Sequence, residues 1–211
     1  MKKLFLIILN ITFFNVPSLI AQENRAFKIY GIMGVSVNQF KTKFNTNLAP
    51  EIVSFNAGAG AKYYFDRFFS GFEFFTSNGT KANNSKRIDF DGFNSSVFAG
   101  YKFKVHPAIT IEPAIGLGMS LNKSLIYDTE RAETHAYSKN KWVLNPSLST
   151  NYFEDQRVYF GIRWGYNYAP NPDSKWLNEA SKKASIFADY INNFYVQLHC
   201  GTHLSFEKKR K

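Results

Sequence analysis

This 211-residue chain has almost no cysteine: it contains only Cys200, which excludes an intramolecular disulfide framework. It also lacks long apolar runs after its first 21 residues, where no segment approaches the roughly 20 apolar residues of a membrane-spanning helix. Acidic residues are scarce beside basic ones, 16 against 26, and the formal net charge is +10. These features leave one domain, or at most two small ones, with no helical route into a membrane.

The first 21 residues have the layout of a secretory signal peptide. Met1–Lys3 form a basic start, an apolar stretch follows from Leu4 to Phe14, and Ala21 suits the last position before cleavage. We therefore predict a signal peptide at 1–21 and an exported domain at 22–206.

Export restricts the partners that the positive charge can have. An exported chain does not meet nucleic acid, so no nucleic-acid partner is expected, and anionic lipid headgroups or acidic glycans fit better. The densest basic cluster, Lys208–Lys211, lies in a predicted periplasmic tail at 207–211.

Strict alternation of apolar and polar residues repeats through the rest of the chain. In the clearest copy, Ile109–Leu121, the odd positions are apolar and the even positions are small, polar or charged. A period of two places these sets on opposite faces of a strand. A soluble sandwich would turn the apolar face to a core, whereas a transmembrane barrel turns it to lipid and the polar face to the lumen.

Connections of two lengths alternate between the predicted strands and favour the barrel. Tight turns such as Asp66-Arg67 alternate with long polar loops, two of which are predicted at Asn78–Ile88 and Lys123–Asn140. Transmembrane barrels have short periplasmic turns and longer extracellular loops. Eight strands are predicted, at Phe27–Phe40, Ile52–Phe65, Phe68–Ser77, Asp89–Val105, Ala108–Asn122, Lys141–Phe153, Arg157–Tyr168 and Asn192–Phe206.

Aromatic residues cluster at both ends of these strands, as expected of rings at two membrane interfaces. Two prolines, Pro113 and Pro146, fall inside strands. Each removes a hydrogen-bond donor from the sheet, so we expect a local bulge at each.

Two strand ends carry a Gly-x-Lys-aromatic motif before a tight turn, in Gly58–Phe65 and Ala99–Phe103. With Asn145–Leu148 and the aromatic close at Phe206, they make nearly the whole mature chain resemble the small OmpA/OmpX-like outer-membrane barrels, in particular those abundant in Bacteroidetes. The resemblance implies an all-β, eight-stranded, antiparallel up-and-down transmembrane barrel. It also implies a monomer in the outer membrane of a Gram-negative bacterium, with extracellular loops and periplasmic termini. Its implied partners are lipopolysaccharide, membrane lipid and the barrel assembly machinery.

Charged residues recur on the face predicted to line the lumen. An eight-stranded barrel is just wide enough for side chains to fill it, and buried charges require partners. We expect Glu73 and Glu112 to be enclosed by Lys62, Lys102 or Arg163, closing the lumen. A gated proton or ion path through the same residues is the alternative.

Other chemistry has weaker support. His203 and Ser205 share a face, and Glu73 or Glu112 could complete a triad like that of outer-membrane lipid A deacylases. The two residues close the last strand, however, at the periplasmic rim and away from lipid A. No metal-ligand spacing is present, so no enzyme activity, cofactor or metal is expected.

The last long connection shows a different pattern. Between Asp173 and Tyr190, apolar residues recur at helical spacing, which predicts a short helix over the barrel mouth or a docking element for a partner. The residues proposed for interaction are Lys175, Trp176, Leu177, Lys182 and Lys183.

The favoured function is that of a structural or interaction protein that presents extracellular loops. The alternatives are a component of a secretion apparatus, as in the PorT-like barrels, a narrow channel or porin, and, with least support, a lipid-modifying enzyme.

Overall fold

A computed structural model describes residues 25–40, 51–82, 86–128, 132–153, 157–170, 176–180, 184–185 and 191–205. The predicted signal peptide at 1–21 and the basic tail at 207–211 lie outside these residues. No helix among the described residues is long and apolar enough to cross a membrane. The strands are β1 (Arg25–Phe40), β2 (Glu51–Phe65), β3 (Phe68–Ala82), β4 (Lys86–Tyr101), β5 (Phe103–His106), β6 (Ile109–Asp128), β7 (Glu133–Tyr152), β8 (Val158–Asn167), β9 (Trp176–Asn178), β10 (Ala184–Ser185) and β11 (Ile191–Ser205).

Eight of these strands form a closed antiparallel ring in the order β1, β2, β3, β4, β6, β7, β8 and β11. The ring closes where β11 pairs with β1, from Ala26 opposite Ser205 to Phe40 opposite Ile191. β5 continues β4 after a break at Lys102. The predicted eight-stranded barrel is therefore confirmed.

The register fixes the stagger of the ring. Paired residues can be followed from strand to strand once around the ring, starting at Ser149 on β7. The path returns to β7 at Lys139, ten positions away (139 against 149). Eight strands with a shear of ten tilt by about 40° from the barrel axis. The interior of such a barrel is filled by side chains.

Alternation along the strands separates an apolar outside from a polar inside, as the sequence predicts. Ile115, Leu198 and Val97 are more than half exposed on the outside. On β7 the outer aromatic residues Trp142 and Tyr152 are ten positions apart. That spacing corresponds to about 33 Å along the strand and about 25 Å along the barrel axis.

The interior contains a small aromatic core among many polar groups. Tyr30 and Tyr64 are almost completely buried, and Phe69 of β3 joins them although its neighbours Phe72 and Phe74 on that strand point outward. The remaining members of the core are Ile32, Phe98 and Tyr159.

Two of the predicted loops are wrong over most of their length. Asn78–Ile88 and Lys123–Asn140 are largely strand, because β3 continues to Ala82, β6 to Asp128, and β7 begins at Glu133. In these hairpins polar residues such as Thr80, Arg87 and Lys123 replace the large apolar residues of the outer face. The alternation in composition fades there, although the backbone pairing continues without a break from Ile109 to Asp128.

The helix predicted between Asp173 and Tyr190 is also wrong in the part that the structure describes. Trp176–Asn178 and Ala184–Ser185 are strands that pair with each other as a short hairpin. β9 also pairs with β7 near the start of that strand, where Asn178 lies opposite Tyr137. Pairing with an available strand edge has overridden a spacing that suits a helix.

Neither proline produces the predicted bulge, because the register between β6 and β7 is continuous past both. Each proline instead lies beside an interruption in the pairing between its own strand and the other neighbouring strand. Pro113 lies opposite the break between β4 and β5. Pro146 lies between the end of the β7–β8 ladder at Ser147 and the isolated bridge from Leu144 to Tyr168. The missing amide donors thus coincide with gaps in the neighbouring ladders.

Glycines on the inner face provide the space that the aromatic rings occupy, which gives a first prediction. A Cβ at Gly60 would lie 2.5 Å from Cζ of Tyr30, whereas the nearest atom to a Cβ at Gly31 is 4.0 Å away. We expect Gly60→Ala to lower the free energy of unfolding by about 1–3 kcal/mol through overpacking. Urea-induced unfolding measures this change.

Gly31→Ala is the matched control, because it adds the same methyl group on the outer face of the neighbouring strand. Equal stability of the two variants would contradict the packing described for Tyr30.

Candidate functional site

A buried ion pair joins β2 and β6 near the short-turn end of the interior. Nζ of Lys62 lies 2.7 Å from Oε2 of Glu112, and the two side chains are 1% and 0% exposed. The hydroxyl of Tyr64 donates a hydrogen bond of 2.6 Å to Oε1 of the same carboxylate. Both oxygens of Glu112 therefore have a partner, which a buried carboxylate requires.

A second buried ion pair lies one layer further toward the long hairpins. Nη1 of Arg163 on β8 contacts Oε2 of Glu73 on β3, and both side chains are buried. The hydroxyl of Tyr30 donates to the same oxygen at 3.3 Å, and Ser96 donates to Oε1 at 3.4 Å. Nε of Arg163 donates to Ser149 at 3.3 Å. The pair spans the barrel, because β3 and β8 lie on opposite sides of the ring.

Aromatic rings surround the cations. Nζ of Lys28 lies 4.4 Å from the ring centre of Tyr64 and 4.6 Å from that of Tyr159. Nζ of Lys102, the remaining member of the predicted network, lies 5.2 Å from the ring centre of Tyr64. Cation–π contacts of this kind offset part of the cost of taking an ammonium group out of water.

The pairing of the strands creates a charge problem that this network resolves. Lys28 and Lys62 are direct partners across β1 and β2, and like charges in this arrangement repel. Glu112 comes from the opposite part of the ring to bind Lys62, while the tyrosine rings pack against Lys28.

An aromatic contact crosses the interior above the ion pairs. The ring centres of Phe75 on β3 and Tyr195 on β11 are 5.9 Å apart. The hydroxyl of Tyr195 donates to Oδ1 of Asn145 at 2.6 Å, so a third strand joins this layer. Beyond it the buried lining contains two lysines, Lys139 and Lys141 of β7, and many amides and hydroxyls, including Asn38, Ser54, Ser77, Ser120, Asn167 and Asn193.

The structure thus brings four of the five predicted interior residues into two ion pairs, Lys62 with Glu112 and Arg163 with Glu73. The roles of Tyr30 and Tyr64 were not predicted. Both occupy even positions on strands whose even residues face inward, which marks them as interior residues, but only the register shows which carboxylate each one reaches.

The remaining candidates lie elsewhere. Leu177 is exposed on β9, and Trp176 begins that strand. Lys175, Lys182 and Lys183 lie outside the described residues. The backbone at His203 and Ser205 pairs with Lys28 and Ala26 at the short-turn end.

No protein-family model matches the chain, and no curated protein matches its sequence. Solved structures do match it. Neisserial surface protein A superposes with a TM-score of 0.55 at 13% identity, over 85% of this chain and 99% of that one. The attachment invasion locus protein Ail of Yersinia pestis gives 0.51 at 16% identity, over 87% and 100%. A major outer membrane protein of Thermus thermophilus gives 0.59 at 8% identity, over 86% and 100%.

The chain has the fold of the small outer-membrane β-barrels. The likeness covers at least 85% of this chain and nearly the whole of each of the other chains.

The Lys62–Glu112 pair gives a second prediction. Glu112→Gln removes the charge that faces Lys62 and leaves that ammonium group buried without its carboxylate. We expect the free energy of unfolding to fall by about 3–5 kcal/mol. Urea-induced unfolding and the shift on unheated gels measure this loss.

The partly exposed pair between Lys86 and Asp128, 3.6 Å apart, provides the control. Asp128→Asn should cost less than about 1 kcal/mol. In a double-mutant cycle, Lys62→Met should recover part of the stability lost in Glu112→Gln. Additive effects would show that the two side chains do not interact.

Proposed function

We propose that this protein is an outer-membrane barrel with a closed lumen and no catalytic activity, which acts as a structural or interaction protein through its extracellular end. The observation that carries the proposal is the combination of an apolar exterior with an interior crossed by successive layers of bonded side chains.

The exterior supports a position in a membrane. Large apolar residues are exposed on every strand of the ring, for example Met33 on β1, Phe72 on β3 and Leu198 on β11. Soluble monomers rarely expose apolar patches above a few hundred Å². The axial distance of about 25 Å between the aromatic residues of β7 equals the height of the apolar band of transmembrane barrels.

The contacts across the interior favour a structural role and argue against a channel. The Lys62–Glu112 pair, the Glu73–Arg163 pair and the Phe75–Tyr195 contact each join strands that are not neighbours in the ring. A solute crossing the barrel would have to separate all three. Opening the ion pairs would leave buried charges unpaired, at a cost of several kcal/mol each.

The ends of the barrel support an orientation. β1 begins and β11 ends beside the short turns, whereas the extended hairpins β3–β4 and β6–β7 lie at the opposite end. By the rule for transmembrane barrels, the short turns are periplasmic and the hairpins extracellular. Lipopolysaccharide or a protein is then the partner that the hairpins and the β9 region would meet. The assembly machinery would insert the barrel as a monomer.

The alternatives predict different behaviour. A channel requires the layers to open, and a PorT-like secretion component requires a partner complex. The triad considered for a lipid-modifying enzyme requires Glu73 or Glu112 to lie beside His203 and Ser205. Against the enzyme, the carboxylates of Glu73 and Glu112 are held by cations.

The proposed membrane position gives a third prediction. Ile115 is 63% exposed near the middle of the apolar band. Ile115→Arg should reduce the free energy of folding into lipid vesicles by about 2–4 kcal/mol, because the charge would meet hydrocarbon. Asn140→Arg is the control, since this exposed residue lies two positions beyond Trp142, outside the band. Equal tolerance of both changes would argue for a water-soluble barrel.

The proposed role gives a fourth prediction. The purified protein should show no steady conductance in planar bilayers. In cells, a photo-crosslinker at the exposed Leu177 should capture a specific partner or lipopolysaccharide, whereas one at the exposed His106, the last residue of β5 before a short turn, should not. Steady conductance would support the channel instead, and specific capture at His106 alone would support a periplasmic secretion complex.

A further inference from the structure

Two lysines lie side by side on the inner face of β7, toward the end of the barrel that carries the long hairpins. Lys139 and Lys141 are 4% and 6% exposed. Because they are two positions apart on one face of a strand, their Cα atoms are about 7 Å apart. Among the described residues, these two are the only buried charged side chains that lie beyond the Phe75–Tyr195 contact.

The neighbouring strand β6 faces the two lysines with neutral polar groups. Ser120 is the direct partner of Lys141, and Asn122 is the direct partner of Lys139. Nδ2 of Asn122 donates to Oγ of Ser120 at 3.0 Å, so these two side chains bind each other. The next inner residue, Ser124, lies diagonally across from Lys139 and is 1% exposed, and its hydroxyl has no hydrogen-bond partner among the described residues. A buried hydroxyl of this kind is uncommon and points to a ligand.

The opposite wall of the barrel is also neutral at this height. The stagger of the ring places Asn38 of β1 and Ser54 of β2 at about the level of Lys141. Nδ2 of Asn38 donates to Oγ of Ser54 at 2.7 Å, and Oδ1 of Asn38 accepts a hydrogen bond of 2.7 Å from Asn193. These groups satisfy one another and contribute no charge.

Three carboxylates at this end of the barrel bind other cations, at positions that are partly or largely exposed. Their ion pairs are Lys86–Asp128 at 3.6 Å, Arg87–Asp89 at 2.9 Å and Lys123–Glu179 at 3.7 Å. Nearer the short turns, by contrast, each buried carboxylate binds a buried cation. Lys139 and Lys141 therefore give the described inner face a positive charge at their level.

We propose that Lys139 and Lys141 form a binding site for a small oxyanion of the phosphate class, with the hydroxyl of Ser124 as a further donor. The spacing of about 7 Å lets the two ammonium groups contact different oxygens of one tetrahedral anion. An anion between them also reduces the repulsion between two like charges in a site of low dielectric constant. A cation would add to that repulsion, and a neutral molecule would leave it unchanged.

The position of the lysines restricts the source of the anion. Both side chains face the interior, so the phosphate of a lipid that surrounds the barrel does not reach them. The interior of an eight-stranded barrel is narrow, which limits the ligand to a small anion that enters from solution through the mouth at the long hairpins. In the proposed orientation this mouth is extracellular, but binding to the lysines does not depend on that orientation.

Titration of the intact protein in detergent micelles with inorganic phosphate tests the site, with nuclear magnetic resonance as the readout. The backbone amide signals of residues 120–124 and 139–141 should shift and reach saturation at roughly millimolar phosphate. Chloride at the same ionic strength is the control and should produce no saturating shift. Shifts that do not saturate, or an equal response to chloride, would overturn the proposal.

This titration and the conductance measurement fail independently of each other. Saturable phosphate binding together with steady conductance would refute the closed lumen and leave the anion site standing. Absence of both phosphate binding and conductance would refute the anion site alone.

Substitutions test which residues hold the anion. Lys141→Met keeps most of the length of the side chain but removes its charge, so the affinity for phosphate should fall by about tenfold or more. Lys139→Met should act in the same direction, and it decides the question if Lys141→Met does not fold. Lys123→Met is the matched control, because this lysine is 70% exposed on the outer face of β6 and binds Glu179. Phosphate affinity that is equal in the wild-type protein and in the folded variants of the inner lysines would overturn the proposal.

Discussion

Closure of the sheet by the pairing of β11 with β1 is the constraint on which the rest of the structure depends. With eight strands and a shear of ten, closure leaves an interior that side chains must fill. Alternation then sends every second residue into that confined space. The large residues Tyr30 and Phe98 fit because glycines stand beside them, Gly60 next to Tyr30 and Gly71 next to Phe98. The glycines at these two inner positions are thus a consequence of closure and of the rings that the interior holds.

The interior charges follow from the same confinement. A lysine or carboxylate on the inner face has little water to solvate it, so each one depends on another strand for a partner. Glu112 binds Lys62 and accepts a hydrogen bond from Tyr64, which ties β6 to β2. Glu73 binds Arg163 and accepts a hydrogen bond from Tyr30, which ties β3 to β8 and β1. These contacts cross the interior and resist opening of the ring, so the charges that require partners also stabilise the closed sheet.

The sequence predicts the fold well because apolar and polar residues alternate strictly wherever a strand contributes to the apolar exterior of the barrel. The prediction fails where this alternation in composition ends. Beyond the apolar band of β6, Lys123, Leu125 and Tyr127 alternate with Ser124, Ile126 and Asp128, and neither set is distinctly apolar. Pairing between backbones continues there without a compositional signal. The hairpin of β9 and β10 was missed for a related reason, since its support is the edge of β7 and not its own composition.

The interior site was only partly predictable from the residues. Parity along the strands identifies which charges face inward, because a period of two needs no tertiary information. It does not identify partners: Lys62 and Glu112 are 50 residues apart, and Arg163 and Glu73 are 90 apart. Only the stagger of the closed ring sets which inward residues share a level. The residues that determine closure are therefore spread over all eight strands. The extended hairpins lie beyond these contacts, at the end of the ring opposite the short turns.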